Sequence, residues 1–450
     1  MSGARGQFSS KTGFVMAAAG SAVGLGNIWG FPTQTASNGG AAFVLVYFVL
    51  AFLLAYPALM AELIIGRHAK SNVVSALSSV GNSTFTRRLG AGVGYYGIII
   101  ASLILSFYTI VAGWMIAHLG QPFTVLLDMP EAGTWLTTNS TTRDLIFGGG
   151  FACITMLIIG SGIENGIEKW STRLMPVLIG LLLLLICYVL TQPGAMEGLK
   201  IYLLPDMSRV SDPKLIVDAM GQAFFSLSLG VGTMLVYGSY LSKEESLPRL
   251  GAIVTLVDCG IAFTAGLLII PAVYVAQHNG LTIFDEAGEL IAGPSLIFQV
   301  LPSLFDSMGA AGTYVAIAFF ALMSIAAVTS SISMLEVPVS MVVEKTGIER
   351  KKSTYLIGFV IFLISATIIV NFDALFGFVI DLTTKYSEPL LGVMLCIFAG
   401  WVLHRDKLLA EVKSGHPDIE HSLFWKIWPT YVRFVCPVLI LVTFTQSLAG

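Results

Sequence analysis

Three polar side chains in apolar segments could together bind a hard cation. Asp258 lies inside the run Val254-Thr-Leu-Val-Asp-Cys-Gly-Ile261, where a carboxylate costs about 2.5–3.5 kcal/mol to insert. Asn27 and Ser226 lie in two other membrane-length runs and offer an amide and a hydroxyl oxygen. Hard cations prefer oxygen ligands of these kinds. The three residues therefore predict a sodium site.

A second source of oxygen ligands is the hydroxyl cluster in Ala326-Ala-Val-Thr-Ser-Ser331. These side chains could bind a second cation. In membrane helices, however, serine and threonine hydroxyls commonly bond back to the carbonyl four residues earlier. The residues alone leave both interpretations open.

The backbone near these side chains is interrupted by glycine at two places. Gly20-Ser-Ala-Val-Gly-Leu-Gly-Asn27 and Ser226-Leu-Ser-Leu-Gly-Val-Gly-Thr233 are both poor material for a continuous helix. Unwound backbone at membrane depth is tolerated where it lines a cavity. Paired breaks of this kind indicate a transporter binding site at a repeat interface. The alternative is close helix packing through small residues.

Broken helices also suit an amino-acid substrate. A half-helix N-terminus attracts a carboxylate, and the carbonyls at a half-helix C-terminus attract an ammonium group. The hydroxyl of Tyr108, in another apolar run, could donate to that carboxylate.

The composition is that of a polytopic membrane protein whose partner is the lipid bilayer. Of the 450 residues, 55% are hydrophobic and 11% are charged, whereas soluble domains carry about 25% charged residues. No Cys/His spacing resembles a zinc site. We expect no organic cofactor and no nucleic-acid partner. Oligomeric state cannot be predicted from these features.

Apolar runs of sufficient length predict eleven membrane spans. Their approximate extents are 12–36, 41–66, 90–118, 146–160, 170–192, 214–241, 249–276, 311–343, 354–371, 375–402 and 429–449.

Lysine and arginine set the predicted orientation. With the N-terminus in the cytoplasm, 18 of the 24 basic residues fall on the inner side and 4 on the outer side, and the other two lie in or near spans. The odd number of spans then places the C-terminus outside. Loop 277–310 is expected to form a structured cap over the outer mouth. Glu62, near the inner end of span two, is expected to be interfacial.

The chain resembles the neurotransmitter:sodium symporter family, in its bacterial branch. Gly20–Asn27 is followed by Trp29, Phe31-Pro32 and Asn38-Gly-Gly40, and Phe225–Gly230 and Thr329-Ser-Ser331 fall where this family places them. The resemblance covers nearly the whole chain. It implies a sodium-coupled amino-acid symporter, not an enzyme, in the bacterial inner membrane.

The fold that the resemblance implies is all-α, with eleven transmembrane helices in a 5+5 inverted repeat. Helices one and six are broken, and one extra helix follows at the C-terminus. The first repeat is expected at 1–192 and the second at 193–402. The remaining residues, 403–450, form a cytoplasmic linker and span eleven.

The resemblance also assigns site residues position by position. Two sodium ions are expected, the first at Ala22, Asn27, Ser226 and Asp258 with the substrate carboxylate, and the second at Gly20, Val23, Ala326, Thr329 and Ser330. The implied substrate pocket comprises Ser21, Ala22, Leu25, Gly26, Ile104, Tyr108, Phe225, Ser226, Ser228, Val231, Ser330 and Met334. The cytoplasmic gate corresponds to Arg5, Tyr240 and Glu344, and Gly166 with Pro176 matches the motif at which span five unwinds.

Three departures from the family pattern carry information. Asp258 stands where the family usually has asparagine, which suggests that a fixed carboxylate replaces chloride. Gly30 stands where the outer gate has arginine, so Asp381 with Lys385 is a candidate substitute, or a pair satisfied within its own helix. Phe8 replaces a cytoplasmic tryptophan.

The expected substrate is a set of neutral, hydrophobic amino acids, aliphatic or aromatic. The implied walls Ile104, Phe225, Val231 and Met334 carry no charge, and methionine is pliable. A hydrophobic pocket distinguishes one methylene by only about 1–3 kcal/mol. Rival hypotheses are proton coupling at Asp258, an intramembrane enzyme that uses Ser330, and a receptor that binds without transport.

Overall fold

The computed structural model describes residues 6–284, 290–291 and 293–449, so Arg5 lies outside the described residues. Within these ranges the chain is helical, apart from one β-bridge between Phe284 and Leu290. The principal helices, numbered along the chain, are α1 (Lys11–Ala22), α2 (Gly26–Ser37), α3 (Ala41–Ala69), α4 (Val73–Val80), α5 (Thr84–Leu126), α6 (Pro130–Thr137), α7 (Thr141–Gly160), α8 (Ile163–Val189), α9 (Ala195–Leu203), α10 (Pro213–Ser226), α11 (Thr233–Ser239), α12 (Leu247–His278), α13 (Leu301–Ser307), α14 (Ala310–Thr346), α15 (Arg350–Val370), α16 (Phe372–Val402), α17 (Arg405–Lys413) and α18 (Leu423–Gln446).

Ten of the eleven predicted spans correspond to helices that are long and apolar enough to cross a membrane. Eight are single helices, and the other two are the bent pairs α1–α2 and α16–α17. The remaining predicted span, 214–241, is divided into α10 and α11, each too short to cross alone. The all-helical fold with broken first and sixth spans is therefore as predicted. The repeat boundaries at 192 and 402 stay predictions.

Local capping explains why helices begin outside the apolar runs. Span three was expected at 90–118, but α5 begins at Thr84 because Ser83 and Thr86 form a capping box. The Ser83 hydroxyl accepts from the Thr86 N–H at 3.1 Å, and Thr86 Oγ1 accepts from the Ser83 N–H at 3.0 Å. The length of an apolar run predicts which part of a helix crosses the membrane, whereas the capping residues determine where the helix begins.

The first break separates α1 from α2, which are bent by 54°. Val23 ends α1 by donating its N–H to the Ala19 carbonyl, and the Gly24 N–H turns back to the Ala22 carbonyl at 2.9 Å. The second break occupies residues 227–232 between α10 and α11. Its backbone takes left-handed conformations at Ser228 and at Gly230, with φ +52° and +93°. A Cβ at Gly230 would lie 2.6 Å from the Glu388 carbonyl, so only glycine fits there.

Glu62 accepts hydrogen bonds from backbone N–H groups at the second break, and it does not lie at the membrane interface. Its carboxylate accepts the Gly230 N–H at 2.7 Å and the Leu235 N–H at 3.2 Å. The side chain is buried at the middle of the bundle. The expectation of an interfacial glutamate was wrong, because the acid is needed where unwound N–H groups have no helical acceptor.

Buried hydroxyl contacts join the helices that carry the central residues. Ser331 on α14 lies 2.9 Å from the Thr155 hydroxyl on α7, and Ser365 on α15 donates to the Ser106 carbonyl on α5 at 2.8 Å. Small residues and hydroxyls of this kind let membrane helices approach closely. They join α14 to α7 and α15 to α5.

The predicted outer cap contains helical turns at 293–300 followed by α13, while residues 285–289 and 292 lie outside the described part of the chain. Phe298 anchors the helical part. Its ring centroid lies 4.9 Å from that of His118, 5.7 Å from Trp114 and 6.4 Å from Trp29. We call this end of the bundle the outer end and the opposite end the inner end, following the predicted orientation.

A buried ion pair fixes the linker between α16 and α18 to the inner end. Arg67 at the end of α3 donates to the Glu411 carboxylate at 2.7 Å and to the Glu245 carbonyl at 2.5 Å. His68 lies 3.5 Å from the same carboxylate. Burial raises the pKa of Glu411, but hydrogen bonds from His68 and Arg67 lower it further, so the net pKa lies below its usual value. The pair is therefore intact at neutral pH.

Removing the Glu411 charge should destabilise the protein. Glu411→Gln leaves the buried Arg67 guanidinium without a counter-charge, which costs about 3–5 kcal/mol. We expect a lower thermal unfolding midpoint in detergent at pH 7. The wild-type midpoint should fall as the pH drops below about 4.3, because the contribution of an acid with a lowered pKa is lost on protonation.

The matched control is Glu420→Gln, which removes an exposed carboxylate paired with Lys413 on the same linker. It should change stability by at most about 1 kcal/mol. Equal effects of the two substitutions would contradict the assignment of the Arg67–Glu411 pair as the contact that fixes the linker to the inner end.

Candidate functional site

The residues predicted for the first sodium site meet in one buried hydrogen-bonded cluster. Asn27 Nδ2 donates to Asp258 Oδ1 at 2.7 Å, and Ser226 Oγ lies 2.9 Å and 3.0 Å from the two carboxylate oxygens. Tyr47 adds its hydroxyl at 3.3 Å from Asp258 Oδ2. Ala22 is the last residue of α1, immediately before the first break. The cluster joins α2, α10 and α12 through oxygen atoms that a hard cation could share.

The residues predicted for the second site lie where α14 crosses the first break. Ser330 Oγ is 3.3 Å from the Gly20 carbonyl and 3.1 Å from the Ser21 carbonyl. Thr329 instead bonds back to the Ile325 and Ala326 carbonyls. Thr329 therefore shows the back-bonding alternative, whereas Ser330 reaches the carbonyls of α1; cation binding by these residues stays a prediction. Val23 is fully buried in the break itself.

A cavity of about 670 Å³ opens between the two breaks. Eleven of the twelve predicted pocket residues line it, and the twelfth, Ser226, is turned into the Asp258 cluster. The predicted residues at its wall are Ser21, Ala22, Leu25, Gly26, Ile104, Tyr108, Phe225, Ser228, Val231, Ser330 and Met334.

The Tyr108 hydroxyl is the unsatisfied polar group of this cavity. It is buried and makes no well-formed hydrogen bond among the described residues, although the Ser330 side chain and the Leu25 backbone lie close to it. A buried donor without an acceptor is costly. The cavity can therefore offer one hydroxyl to an oxygen of a ligand, while its side walls at Ile104, Val231 and Met334 offer apolar contact.

Sequence reasoning did not assign several polar residues to the pocket, although it named Lys385 as a candidate for the outer gate. Gln34, Asp218, Gln222, Lys385 and Glu388 all line it. Gln222 donates to the carbonyl of Gly26, the first residue of α2, at 2.8 Å. Glu388 could have been found from the sequence, because an ionisable residue inside a predicted span is by default a candidate functional residue.

Of the predicted inner gate residues, Tyr240 contacts an acid that was not predicted, Glu336, whereas Glu344 contacts Asn72. Tyr240 donates to Glu336 Oε1 at 2.5 Å, and Arg350 pairs with the same carboxylate. Glu344 accepts from the backbone N–H and the side chain of Asn72, both at 2.8 Å. Phe8 packs against Tyr240, with centroids 6.2 Å apart.

At the outer end, Asp381 and Lys385 form an ion pair of 2.8 Å one turn apart on α16. Both side chains are about half exposed, and the pair lies within one helix. This geometry corresponds to the locally satisfied alternative. A role for Asp381 in gating stays a prediction.

The motif residues Gly166 and Pro176 lie in α8, which is helical throughout from Ile163 to Val189. Glu168 on its first turn holds the segment that precedes α1. Its carboxylate accepts the Ser9 N–H at 2.7 Å and the Ser9 and Ser10 hydroxyls, each at 2.8 Å. A Cβ at Gly13 would lie 1.8 Å from Glu168 Oε1, so glycine is required for this approach.

Comparison with known proteins shows which family the chain belongs to. The sequence profile described as "Sodium:neurotransmitter symporter family" matches residues 5–146 and 150–450. The chain belongs to this family. It is a multi-pass membrane transporter for which sodium is the co-transported ion, and it is not an enzyme. The predicted family and sodium-coupled transport are confirmed.

Individual relatives resemble the chain along most of its length. An uncharacterized sodium-dependent transporter of Bacillus subtilis, YhdH, is 33% identical and covers 97% of this chain and 96% of its own. The bovine sodium- and chloride-dependent taurine transporter is 31% identical over 68% of this chain and 55% of its own. The crystal structure of MhsT in complex with L-phenylalanine matches with a TM-score of 0.83 and 35% identity, and covers 98% of this chain and 100% of that one.

Removing the Glu168 charge should release the segment before α1. In Glu168→Gln the hydrogen bonds from Ser9 and Ser10 lose their charged acceptor, and each such bond contributes about 1.5–3 kcal/mol. Amide hydrogen exchange over residues 6–13 should become about tenfold faster or more.

The control is Glu164→Gln, which neutralises an exposed acid on the same turn of α8. It should leave exchange over residues 6–13 unchanged. Unchanged exchange in Glu168→Gln would show that this carboxylate does not hold the segment.

Proposed function

We propose that this protein imports neutral, hydrophobic L-amino acids together with two sodium ions, by alternating access and without chloride. The observation that carries the proposal is the position of the cavity. It is bordered by both helix breaks, it lies beside the Asp258 cluster, and it contains the unsatisfied Tyr108 hydroxyl.

In this proposal the protein recognises both ends of the substrate, the end that carries the carboxylate and ammonium groups and the side chain. The carboxylate accepts from Tyr108 and completes the first sodium site, and the ammonium group faces carbonyls of the unwound segments. The side chain contacts Ile104, Val231 and Met334, which carry no charge. The phenylalanine in the MhsT structure, a relative 35% identical to this chain, supports a hydrophobic and even aromatic side chain.

The two proposed sodium ions act by joining helices. The first binds at Ala22, Asn27, Ser226 and Asp258, and so joins the first break to α10 and α12. The second binds at Gly20, Val23, Ala326, Thr329 and Ser330, and so joins α1 to α14. Both ions order backbone that has no helical partners, which makes sodium a requirement for a well-formed substrate pocket.

In the proposed cycle, sodium and substrate bind from the outer end and the cavity then closes there. The inner contacts among Tyr240, Glu336 and Arg350 separate next, together with the predicted gate residues Arg5 and Glu344. Helix α8 unwinds between Gly166 and Pro176, where proline weakens the preceding turn. Water then reaches the sites from the inner end, which we place in the bacterial cytoplasm with the N-terminus.

The proposed chloride independence rests on the carboxylate of Asp258. Chloride would supply one negative charge beside the first sodium ion, and Asp258 supplies that charge from the chain itself. Tyr47 and Ser226 contact this carboxylate, whereas Gln222 is bonded to the Gly26 carbonyl. An additional anion next to a buried carboxylate would be repelled.

The test of the function is uptake of a labelled amino-acid panel into proteoliposomes. An inward sodium gradient is compared with potassium at the same membrane potential. We expect sodium-dependent accumulation of leucine, phenylalanine, tyrosine or tryptophan, and none of aspartate or lysine. Equal uptake under a pH gradient without sodium would contradict the proposal and favour proton coupling at Asp258.

The ion requirement makes a second prediction. Replacing chloride with gluconate should leave wild-type uptake unchanged. Asp258→Asn should weaken the sodium dependence of uptake about tenfold or more, because a charged ligand contributes about 1.5–3 kcal/mol. Cys259→Ala, at the adjacent buried position, is the control and should keep the wild-type sodium dependence. Loss of wild-type uptake in gluconate would refute chloride independence.

A further inference from the structure

Arg433 places a charged side chain on the apolar outside of the bundle. It lies within α18 and is exposed, as are the neighbouring residues Phe434, Val435 and Val438. Exposed apolar side chains on a membrane-length helix face lipid. A guanidinium on such a surface is costly unless an anion or water meets it.

No carboxylate among the described residues neutralises this charge. Arg67, Arg143 and Arg350, which also lie in long helices, each pair with a carboxylate. Within the described ranges, no carboxylate lies within 4 Å of Arg433 and its guanidinium donates no hydrogen bond. The anion that meets Arg433 therefore has to come from outside the described chain.

Trp401 holds the guanidinium in a defined position. Arg433 Cζ lies 3.9 Å from the centre of the indole ring, and the indole N–H donates to the Arg433 carbonyl at 3.0 Å. The helices touch here, since a Cβ at Gly400 would lie 2.8 Å from Arg433 Cα. One face of the guanidinium is covered by the indole. Its N–H edge stays free, and that edge is the one that binds a phosphate in a bidentate manner.

The pair lies level with the inner boundary of the apolar region. Trp401 is on the last turn of α16, which ends at Val402 and bends by 99° into α17. Tryptophan is enriched at membrane interfaces. Exposed basic residues lie nearby along the chain, Arg405 at the start of α17 and Lys426 in the first turn of α18. Basic pockets between helices on the cytoplasmic side bind anionic lipid headgroups.

We propose that Arg433 and Trp401 form a binding site for the phosphate of an anionic phospholipid in the inner leaflet. Charge complementarity selects an anionic headgroup. The exposed apolar surface of Val438 and Leu441 on the same helix lies next to it and can accept an acyl chain. The site is separate from the transport cavity and does not depend on the identity of the transported substrate.

The test is a titration of the detergent-purified full-length protein with phosphatidylglycerol, read by native mass spectrometry. Phosphatidylcholine and inorganic phosphate are titrated in parallel. We expect one phosphatidylglycerol to bind more tightly than phosphatidylcholine, and inorganic phosphate not to displace it. Arg433→Gln should weaken the binding about fivefold, the effect of one basic residue at an anionic surface. Arg433→Lys keeps the charge and should lose less.

Lys351→Gln is the matched control, because it removes an exposed positive charge at the inner end of another helix, α15. It should leave the tightest phosphatidylglycerol site unchanged. Wild-type affinity in Arg433→Gln would overturn the proposal. An equal loss in Lys351→Gln would also overturn it, because the attraction would then not depend on Arg433 in particular. Displacement of the lipid by inorganic phosphate would overturn it too.

Discussion

Backbone groups that leave a helix inside an apolar bundle must find partners, and much of this structure supplies those partners. The breaks at 23–25 and 227–232 expose N–H and C=O groups at a depth where water is scarce. Glu62 accepts the Gly230 N–H of the second break, Gln222 donates to the Gly26 carbonyl just after the first break, and Ser330 bonds to carbonyls at the end of α1. The groups that remain can bind ions and substrate.

The same constraint links an ion bound at the Asp258 cluster to the shape of the cavity. Asp258 on α12 contacts Asn27, just after the first break, and Ser226, just before the second. An ion bound there would fix both breaks at once. Because the breaks border the cavity, ordering them shapes the pocket, and a bound substrate in turn favours the ordered breaks. Coupling of this kind is reciprocal by thermodynamic necessity.

The inner end shows a second use of buried charge. Tyr240 and Arg350 converge on Glu336, and Glu168 holds the segment that precedes α1. These contacts link α11, α14 and α15 in one network and α8 with the start of α1 in another. Both networks lie at the inner end of the bundle. In the proposed cycle both networks separate, and α8 unwinds between Gly166 and Pro176.

The sequence was sufficient for the features that have a local cause. Glycines at 20–26 and 230–232 disfavour a helix at their own positions, and the cost of a carboxylate in an apolar run makes Asp258 conspicuous. It was not sufficient where the cause is a distant contact. Glu62 accepts from a residue 168 positions away, so its place near the end of an apolar run suggested an interface. Glu336 and Glu168 were missed for the same reason, since their partners are distant in sequence.

The central claim is that sodium and substrate stabilise the same ordered breaks. The most direct measurement is equilibrium binding of labelled phenylalanine to the purified protein as a function of sodium concentration, with potassium keeping the ionic strength constant. The account predicts that sodium raises phenylalanine affinity, that phenylalanine raises sodium affinity by the same factor, and that Asp258→Asn reduces both. Phenylalanine binding of equal affinity in potassium and in sodium would contradict it.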